Sequence, residues 1–363
     1  MVKKKISMSQ TVYLMIILVL STADIFIPSI VARQAGRDAW LSVMIATVLS
    51  ILLSFIWISL TSRFPNESLP EYLPKIFGQT FGGFIALSYI FFFITSIAVI
   101  GREFSALMAT AFLPFTPIVV LITVIVALSV YAAFEDIEVI ARTNEALFPL
   151  GMFLLVMVIL LTAKDMDFSN LLPILENGLK PPLLGAITLV SYMGETFLIL
   201  YIYPYICNKE TFKRSFILSL VLLESTFLLG TATVALFGID LTANLMIPTL
   251  AMVQVINLAN FIQRLDAVIM SIWVGGIFIK LSVYFYFSAL SISTILKMRS
   301  YKPFLVPLAG IAIPVSILAF EDITEVTVFL EKILPLYLLS WEVLLPSIIL
   351  IAAVIKKPYE QRK

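Results

Sequence analysis

Residues 10–33 read QTVYLMIILVLSTADIFIPSIVAR, a nearly continuous apolar run. As a helix this run is long enough to cross the hydrocarbon core of a bilayer, which takes about 20 residues. Near its middle, small and polar residues precede a proline: Ser21, Thr22, Ala23 and Asp24, then Pro28. Polar groups inside a membrane helix are costly unless they face protein or water. The stretch therefore predicts a membrane-spanning helix that breaks near residues 21–24, with a candidate binding site at the break.

The composition of the whole chain also indicates a membrane protein. Of its 363 residues, 61% are hydrophobic and 13% are charged, with a mean hydropathy of +1.05. Soluble domains are about 45–50% apolar and about 25% charged. The net charge of +1 lacks the basic excess typical of nucleic-acid binding. Histidine is absent and Cys207 is the single cysteine. We therefore expect no metal site, no cofactor, no nucleic-acid partner and no enzymatic activity.

Ten apolar stretches are long enough to span the bilayer: 10–33, 39–61, 80–113, 117–134, 146–163, 183–207, 214–238, 264–296, 303–320 and 333–355. The runs are continuous and lack the alternation of barrel strands. We predict an all-α polytopic membrane protein with ten transmembrane helices, a single membrane domain over residues 1–363. Residues 66–79 predict an amphipathic segment on the inner surface, and residues 241–261 predict a short helix on the outer surface.

The basic residues predict the orientation of the chain. Sixteen lysines and arginines fall in segments that share a side with the N-terminus, and five fall in segments on the other side. Cytoplasmic loops carry the excess of lysine and arginine in membrane proteins. Both termini are therefore predicted to face the cytoplasm.

Ten helices divide into two halves of five, roughly residues 10–163 and 183–355, and an odd number per half inverts the second half. The sixth helix repeats the interruption of the first, because Ser191, Tyr192, Met193, Gly194 and Glu195 precede Pro204. Transporters built from inverted repeats place their binding sites at such paired breaks. We predict a 5+5 inverted repeat with discontinuous helices 1 and 6, and a small molecule bound between them.

Several ionisable side chains fall at membrane depth, where such groups pair, face protein or line water. Glu195 and Asp24 lie at the two predicted breaks and are candidates for binding an amine or carrying a proton. The alternative is a neutral, hydrogen-bonded structural acid for Glu195 and solvation at a helix end for Asp24. Lys280 is a candidate to replace a coupling cation or to carry a proton; the alternatives are a structural salt bridge and snorkelling to the inner surface. Arg102 points away from the adjacent Glu103 and meets either another acid or a substrate carboxylate. The predicted ligand-binding residues are Ser21, Thr22, Ala23, Asp24, Arg102, Tyr192, Gly194 and Glu195, and the coupling candidates are Lys280, Glu195 and Asp24.

Five short motifs follow one another along nearly the whole chain. They are Gly78 with Gly82, Arg102 ahead of Thr116-Pro117, FEDIEVIARTNEALFPL at 134–150, Gly194-Glu195 ahead of Pro204, and FIQRLDAVIMSIWVGGIFIKLSVYFY at 261–286, which holds Arg264, Asp266, Trp273 and Lys280. In this order and spacing the chain resembles the spore germination permeases, the B-type integral membrane subunits of endospore germinant receptors. These proteins belong to the amino acid–polyamine–organocation transporter superfamily.

The resemblance implies a ten-helix inverted-repeat fold that binds a small germinant, typically an amino acid, where helices 1 and 6 break. It also implies a larger A-type membrane subunit and a C-type lipoprotein as partners, in the inner membrane of a spore. The first break of the family is often glycine-rich, whereas this chain has Ser21, Thr22 and Ala23 there. We expect the germinant carboxylate on helix-end N–H groups near residues 21–25 and its ammonium near Glu195.

Three functions fit these expectations. The leading hypothesis is a germinant-sensing receptor subunit. A proton-coupled amino-acid transporter would use the same site while cycling between inward and outward openings. A scaffold subunit that binds no ligand is the third.

Overall fold

The computed structural model describes residues 5–256 and 265–356, and this part of the chain is almost entirely helical. The first half contains six α-helices: α1 (Met8–Ala35), α2 (Ala39–Arg63), α3 (Leu69–Phe77), α4 (Gln79–Ala111), α5 (Ile118–Ala133) and α6 (Ile137–Thr162). An isolated parallel bridge between Ile6 and Ile206 ties the segment before α1 to the end of the sixth predicted span. This bridge links the start of the first helix to the second half of the chain.

The described part of the second half contains nine α-helical segments, several of them short: α7 (Lys180–Met193), α8 (Ile199–Ile202), α9 (Phe212–Asn244), α10 (Pro248–Val255), α11 (Leu265–Ile295), α12 (Leu305–Leu318), α13 (Ile323–Lys332), α14 (Leu334–Leu339) and α15 (Leu345–Ile355). Segments of 3₁₀-helix at Gly194–Leu198 and Tyr203–Tyr205 flank α8, and one π-helical turn, Ser340–Leu344, joins α14 to α15. Helix α9 is kinked at Gly238, where φ is +74°.

The described residues hold seven helical runs that are long and apolar enough to cross a membrane, or eight if the bent pair α12 and α13 forms one span. The first run, Met8–Arg63, includes both α1 and α2, and α5 is a shorter apolar helix. Each of the ten predicted spans overlaps an observed helix. An all-α chain with several membrane-length helices is confirmed. Ten crossings, the 5+5 repeat and a single domain over residues 1–363 stay predictions.

The predicted break in the first helix is wrong, because α1 is helical throughout residues 21–24. Pro28 has no N–H, so the carbonyl oxygen of Asp24, four residues earlier, loses its helical partner. The hydroxyl of Thr249 in α10 donates a hydrogen bond to that oxygen at 3.1 Å. A neighbouring segment thus satisfies the freed backbone group, which is how membrane helices tolerate an internal proline.

The sixth span changes its helix type where the sequence predicts a break. Helix α7 ends at Met193, and the chain continues as the 3₁₀-helix Gly194–Leu198 before α8. Gly194 keeps helical dihedral angles, with φ −53° and ψ −29°, so the helix is tightened rather than unwound. Internal 3₁₀ stretches often mark a functional hinge or a strained sequence. The discontinuity of helix 6 is therefore a local change of helix type.

Helix α6 begins at Ile137, well before the predicted 146–163 span. The polar residues of its first turns have partners that stabilise the extra helix. Arg142 donates to the carboxylate of Glu138 at 2.6 Å in an i,i+4 ion pair, a spacing that supports helices at their surfaces. The predicted span begins nine residues after the helix because hydropathy alone does not detect polar helical turns.

The two predicted surface segments both contain short helices. Helix α3 lies within residues 66–79 and begins at a capping box. It packs closely on α4, because a Cβ atom at Gly82 would lie 2.7 Å from the carbonyl oxygen of Leu73. Helix α10 lies in the predicted outer segment 241–261, of which residues 257–261 fall outside the described ranges.

The positions of the helices do not test the prediction that both termini face the cytoplasm, which stays a prediction. Several basic residues that support it lie outside the described residues, namely Lys3, Lys4, Lys357, Arg362 and Lys363. Arg264 of the last motif also lies outside them. Described basic residues of the predicted inner side, such as Arg63 and Lys213, lie at helix ends, where the positive charges of cytoplasmic loops are expected.

Helix α1 and the sixth span form the buried centre of the molecule. Every residue from 188 to 206 is buried, and so is every residue of α1 from 14 to 32 except Leu20. Large apolar side chains on α5 and α12, such as Val124 and Ile311, are exposed instead. Exposed apolar surface of this kind suits contact with lipid. The polar residues of α1 and the sixth span therefore lie deep inside the protein.

Candidate functional site

A buried ion pair joins α1, the sixth span and α11. The ammonium of Lys280 donates hydrogen bonds to both carboxylate oxygens of Glu195, at 2.7 Å to Oε1 and 2.6 Å to Oε2. It donates a third to the hydroxyl of Thr22 at 2.7 Å. An ammonium has three N–H donors, so all the donors of Lys280 are used. We call the Lys280–Glu195 contact the central ion pair.

Three different local structures position the central ion pair. Glu195 is the second residue of the 3₁₀-helix, Thr22 lies in the uninterrupted middle of α1, and Lys280 lies midway along α11. Lys280 is 0% exposed and Glu195 is 5% exposed. Removing one partner of a buried ion pair typically costs about 3–5 kcal/mol. Loss of either partner would therefore leave an unpaired buried charge at the point where these three elements meet.

A pocket of about 20 Å³ lies beside the central ion pair. Besides Thr22, Glu195 and Lys280, its polar lining comes from α4 and α7: Ser96, Glu103 and Tyr192. A water molecule needs about 10–15 Å³ by a comparable measure. The pocket therefore has room for little more than one water, and the protein is closed around the ion pair in this conformation.

A second carboxyl group lies against Gly194 of the 3₁₀-helix. A Cβ atom at Gly194 would collide with the carboxylate of Glu342, so glycine is needed for this approach. Glu342 is completely buried in the π-helical turn, and neither of its carboxylate oxygens has a hydrogen-bond partner. Its carbonyl oxygen accepts a hydrogen bond from the indole of Trp57 at 2.9 Å. The π turn and Gly194 thus bring a buried acid next to the central ion pair.

The site contains more acidic groups than basic ones. Glu103 and Glu342 both lie close enough to Glu195 and Lys280 to interact with them electrostatically. Three carboxyl groups therefore surround one ammonium, an arrangement that favours uptake of a proton or of another ammonium group. Among the described residues, no group of three acidic, histidine or cysteine side chains is arranged to hold a metal ion.

The remaining predicted residues of α1 face other parts of the protein. The indole of Trp273 donates a hydrogen bond to the side chain of Asp24, and Thr249 donates to the backbone carbonyl oxygen of Asp24; Asp24 does not line the central pocket. Ser21 lines a different, larger cavity, and Ala23 is buried in the apolar core. Residues two apart on a helix point in different directions, which explains why Thr22 alone of these four reaches the ion pair.

Arg102 is a further predicted ligand-binding residue that lies outside the central pocket, like Ser21, Ala23 and Asp24. Its guanidinium donates to the backbone carbonyl of Glu321 at 3.1 Å, between α12 and α13. It does not line the central pocket, whereas the adjacent Glu103 does. The two residues face different ways, as the sequence argument expected, and Glu103 is the one that lines the pocket; ligand binding by Arg102 stays a prediction.

Glu103 and Glu342, the two further acids near the ion pair, were not among the residues selected from the sequence. Ser96 and Glu103 are seven residues apart in α4, the spacing of one helical face, so this polar stripe was a usable signal. Glu342 had no such signal, because its approach depends on the π turn and on Gly194.

Solved transporter structures share this fold. Mhp1, a nucleobase-cation-symport-1 family transporter in a closed conformation with bromovinylhydantoin bound, superimposes with a TM-score of 0.69 over 96% of this chain and 78% of that one, at 13% identity. A Na⁺-coupled sialic acid symporter in a substrate-bound outward-open state gives 0.63 over 95% of this chain and 89% of that one, also at 13% identity. The likeness is one of fold.

The sequence itself matches germination proteins of spore-forming bacteria. Spore germination protein KB of Bacillus subtilis (strain 168) is 28% identical over 372 aligned residues, covering 100% of this chain and 98% of that protein. Spore germination protein XB of Bacillus anthracis is 26% identical, covering 69% of this chain and 70% of that protein. A family model described as spore germination protein, the spore permeases, matches residues 5–325. The chain therefore belongs to the spore germination permease family.

Proposed function

We propose that this chain is the germinant-sensing membrane subunit of a spore germinant receptor, and that it binds a small amino acid at the central ion pair. The observation that carries the proposal is the contact of Lys280 with Glu195 and Thr22, which joins α1, α11 and the tightened sixth span. Family membership supports the germination role, and the fold shared with transporters supports a ligand site at this depth.

The chemistry of the ion pair favours a zwitterion. An amino acid carries one ammonium and one carboxylate, so it can pair its ammonium with Glu195 and its carboxylate with Lys280. Such a ligand replaces one internal ion pair by two, and the acidic surplus from Glu103 and Glu342 stabilises the added ammonium. Because α1 is unbroken, its N–H groups at residues 21–25 are engaged in the helix. Lys280 therefore replaces them as the proposed carboxylate partner.

Ligand binding would require the protein to open. The pocket of about 20 Å³ is too small for an amino acid, so the bound state separates α1, α11 and the sixth span. A ligand shifts a conformational equilibrium only by its different affinity for the two states. Here that difference comes from exchanging the Lys280–Glu195 contact for contacts with the ligand. The shift would reach partner subunits as coupling between two sites.

We further propose that the protein lies in the inner membrane of a spore with both termini in the cytoplasm. Its proposed partners are the germinant, an A-type membrane subunit, a C-type lipoprotein and the lipid bilayer. Family membership supports the partners, and the sixteen-to-five distribution of basic residues supports the orientation.

A proton-coupled amino-acid transporter is the second candidate, because the neighbours in fold are transporters. It uses the same site, with Lys280 and Glu195 there, and Asp24 outside the central pocket, as proton or ion carriers. The central ion pair must then break in every cycle rather than once on activation. A scaffold that binds no ligand is the third candidate.

The test measures binding and uptake of labelled amino acids on one sample of full-length protein in proteoliposomes, with and without a proton gradient. The sensor predicts saturable binding without uptake, weakened roughly 30-fold or more by Glu195→Gln, as for loss of a buried charge pair. The matched control is Glu224→Gln, a buried acid of α9 that hydrogen-bonds to Ser50 and lies outside the pocket. Gradient-driven uptake lost in Glu195→Gln would identify a transporter. Absence of both binding and uptake would contradict the proposed ligand site and favour the scaffold.

A further inference from the structure

The central pocket contains one acidic side chain that the central ion pair does not use. Glu103 of α4 lines the pocket together with Glu195 and Lys280, and it is only 2% exposed. Among the described residues Glu103 has no hydrogen-bond partner, yet its carboxyl oxygens are not among the partnerless polar atoms that are completely sealed off. The carboxyl group of Glu103 therefore faces the space of the pocket rather than a protein donor.

Lys280 cannot neutralise both acids of the pocket. All three of its N–H groups are used, two by Glu195 and one by Thr22. Glu103 is close enough to Lys280 and Glu195 to interact with both electrostatically, but it makes no direct contact with the ammonium. With two carboxylates and one ammonium in its lining, the pocket has one negative charge in excess. A buried charge without a partner is costly, so the pocket lacks a cation.

We infer that the ligand of this pocket is an amino acid of net charge +1, whose side chain ends in a cationic group. The inference rests on the proposed function and names the ligand class of the same site. The α-ammonium pairs with Glu195 and the carboxylate with Lys280, as proposed above, while the side-chain cation pairs with Glu103. Such a ligand leaves none of these three residues unpaired. An amino acid with an apolar side chain would instead bury Glu103 without a partner.

The apolar part of the pocket suits the aliphatic stem of such a side chain. Its lining comes from α4 and α14: Val99, Ile100, Leu334 and Leu338. Residues three and four apart lie on one face of a helix, so Val99 and Ile100 share the face of α4 that presents Glu103. Long cationic side chains lay their methylene groups along apolar surface and keep the charged end at a polar group. The lining therefore offers contacts to the stem and to its terminal charge.

The experiment compares amino acids that differ only by a terminal ammonium group. Equilibrium binding to the full-length protein in lipid nanodiscs is measured at neutral pH for three matched pairs: 2,4-diaminobutyrate and 2-aminobutyrate, ornithine and norvaline, and lysine and norleucine. In the pair whose length fits the site, the cationic member should bind about tenfold or more tightly, the value of one hydrogen bond to a charged group. Glu103→Gln removes the charge at nearly constant shape and should lower this preference to about threefold or less. Glu224→Gln, outside the pocket, is the matched control and should keep the preference.

The preference measured in the wild-type protein keeps the test decisive if Glu103→Gln folds poorly. Equal binding within all three pairs would overturn the inference, because a proton rather than a second cationic group would then meet Glu103; the proposed function would still stand. A preference that is unchanged in Glu103→Gln would also overturn it. Failure of all six compounds to bind overturns it too, and only the failure of every other amino acid would overturn the proposed function with it.

Discussion

The central ion pair gives the most direct prediction of how the protein is held together. Lys280→Met removes the ammonium and leaves Glu195 without its two hydrogen bonds of 2.6 and 2.7 Å. Because both groups are buried, the free energy of unfolding should fall by about 3–5 kcal/mol, the cost of leaving a buried charge unpaired. Glu195→Gln should also destabilise the protein, since the ammonium keeps its charge but loses its counter-ion.

The double variant Lys280→Met/Glu195→Gln separates ion pairing from mere packing. It removes both charges together, so no buried charge is left unpaired and the loss should be smaller than in Lys280→Met alone. Replacing a whole buried pair by uncharged groups is often close to neutral. The interaction energy between the two positions should therefore be about 3 kcal/mol, at the upper end for residues in contact.

The assay is reversible unfolding of the purified protein in mixed micelles, followed by far-UV circular dichroism as the denaturing detergent is increased. Glu224→Gln serves as the control. Its carboxylate has one long hydrogen bond, 3.4 Å from Ser50, so its loss should cost less than about 1.5 kcal/mol. Additive losses in the double variant would refute the reasoning, because they would mean that Lys280 and Glu195 act independently.

Three further predictions follow from the packing and the orientation. Gly194→Ala should lower the free energy of unfolding by about 1–3 kcal/mol, since the new methyl group collides with a buried carboxylate; Gly83→Ala, with open space around it, should be neutral or stabilising in the same melt. Trp57→Phe should lower the free energy of unfolding by about 1–3 kcal/mol, because it leaves the buried carbonyl oxygen of Glu342 without this donor. Trp40→Phe should lower it by under about 0.5 kcal/mol, because the indole N–H of Trp40 is already unpaired. Equal losses of stability in the two variants would contradict this reasoning. Cys207, exposed on the predicted inner side, should react with an impermeant maleimide in right-side-out vesicles only after permeabilisation, and labelling of intact vesicles would reverse the predicted orientation.

The positions of the spans were predictable from the sequence because the bilayer imposes a one-dimensional requirement. A helix of about 20 apolar residues satisfies its own backbone and crosses the membrane, so counting apolar residues locates it. The same counting misplaced the start of α6 at residue 146 instead of Ile137. The polar turn there is held by Glu138 and Arg142, which hydropathy ignores.

The break predicted in the first helix shows where local reasoning fails. Pro28 and the polar residues before it argue for interruption, and every local rule agrees. The structure keeps α1 continuous because Thr249, far along the chain, satisfies the carbonyl oxygen of Asp24. No property of residues 10–33 predicts that Thr249 is the partner. In the sixth span the local signal was better, since Gly194 does mark a change of helix type.

By itself the sequence determined that this is a helical membrane protein and roughly where its helices run, and it placed Thr22, Glu195 and Lys280 within predicted spans. It could not determine that these three meet while Arg102 turns away. Thr22 and Lys280 are 258 residues apart, and Glu195 and Lys280 are 85 apart. Whether two such groups touch depends on how each helix is rotated about its axis and on which helices are neighbours. Those choices are made by packing over the whole molecule, so the tertiary structure alone decided the pairing of the charges and with it the proposed site.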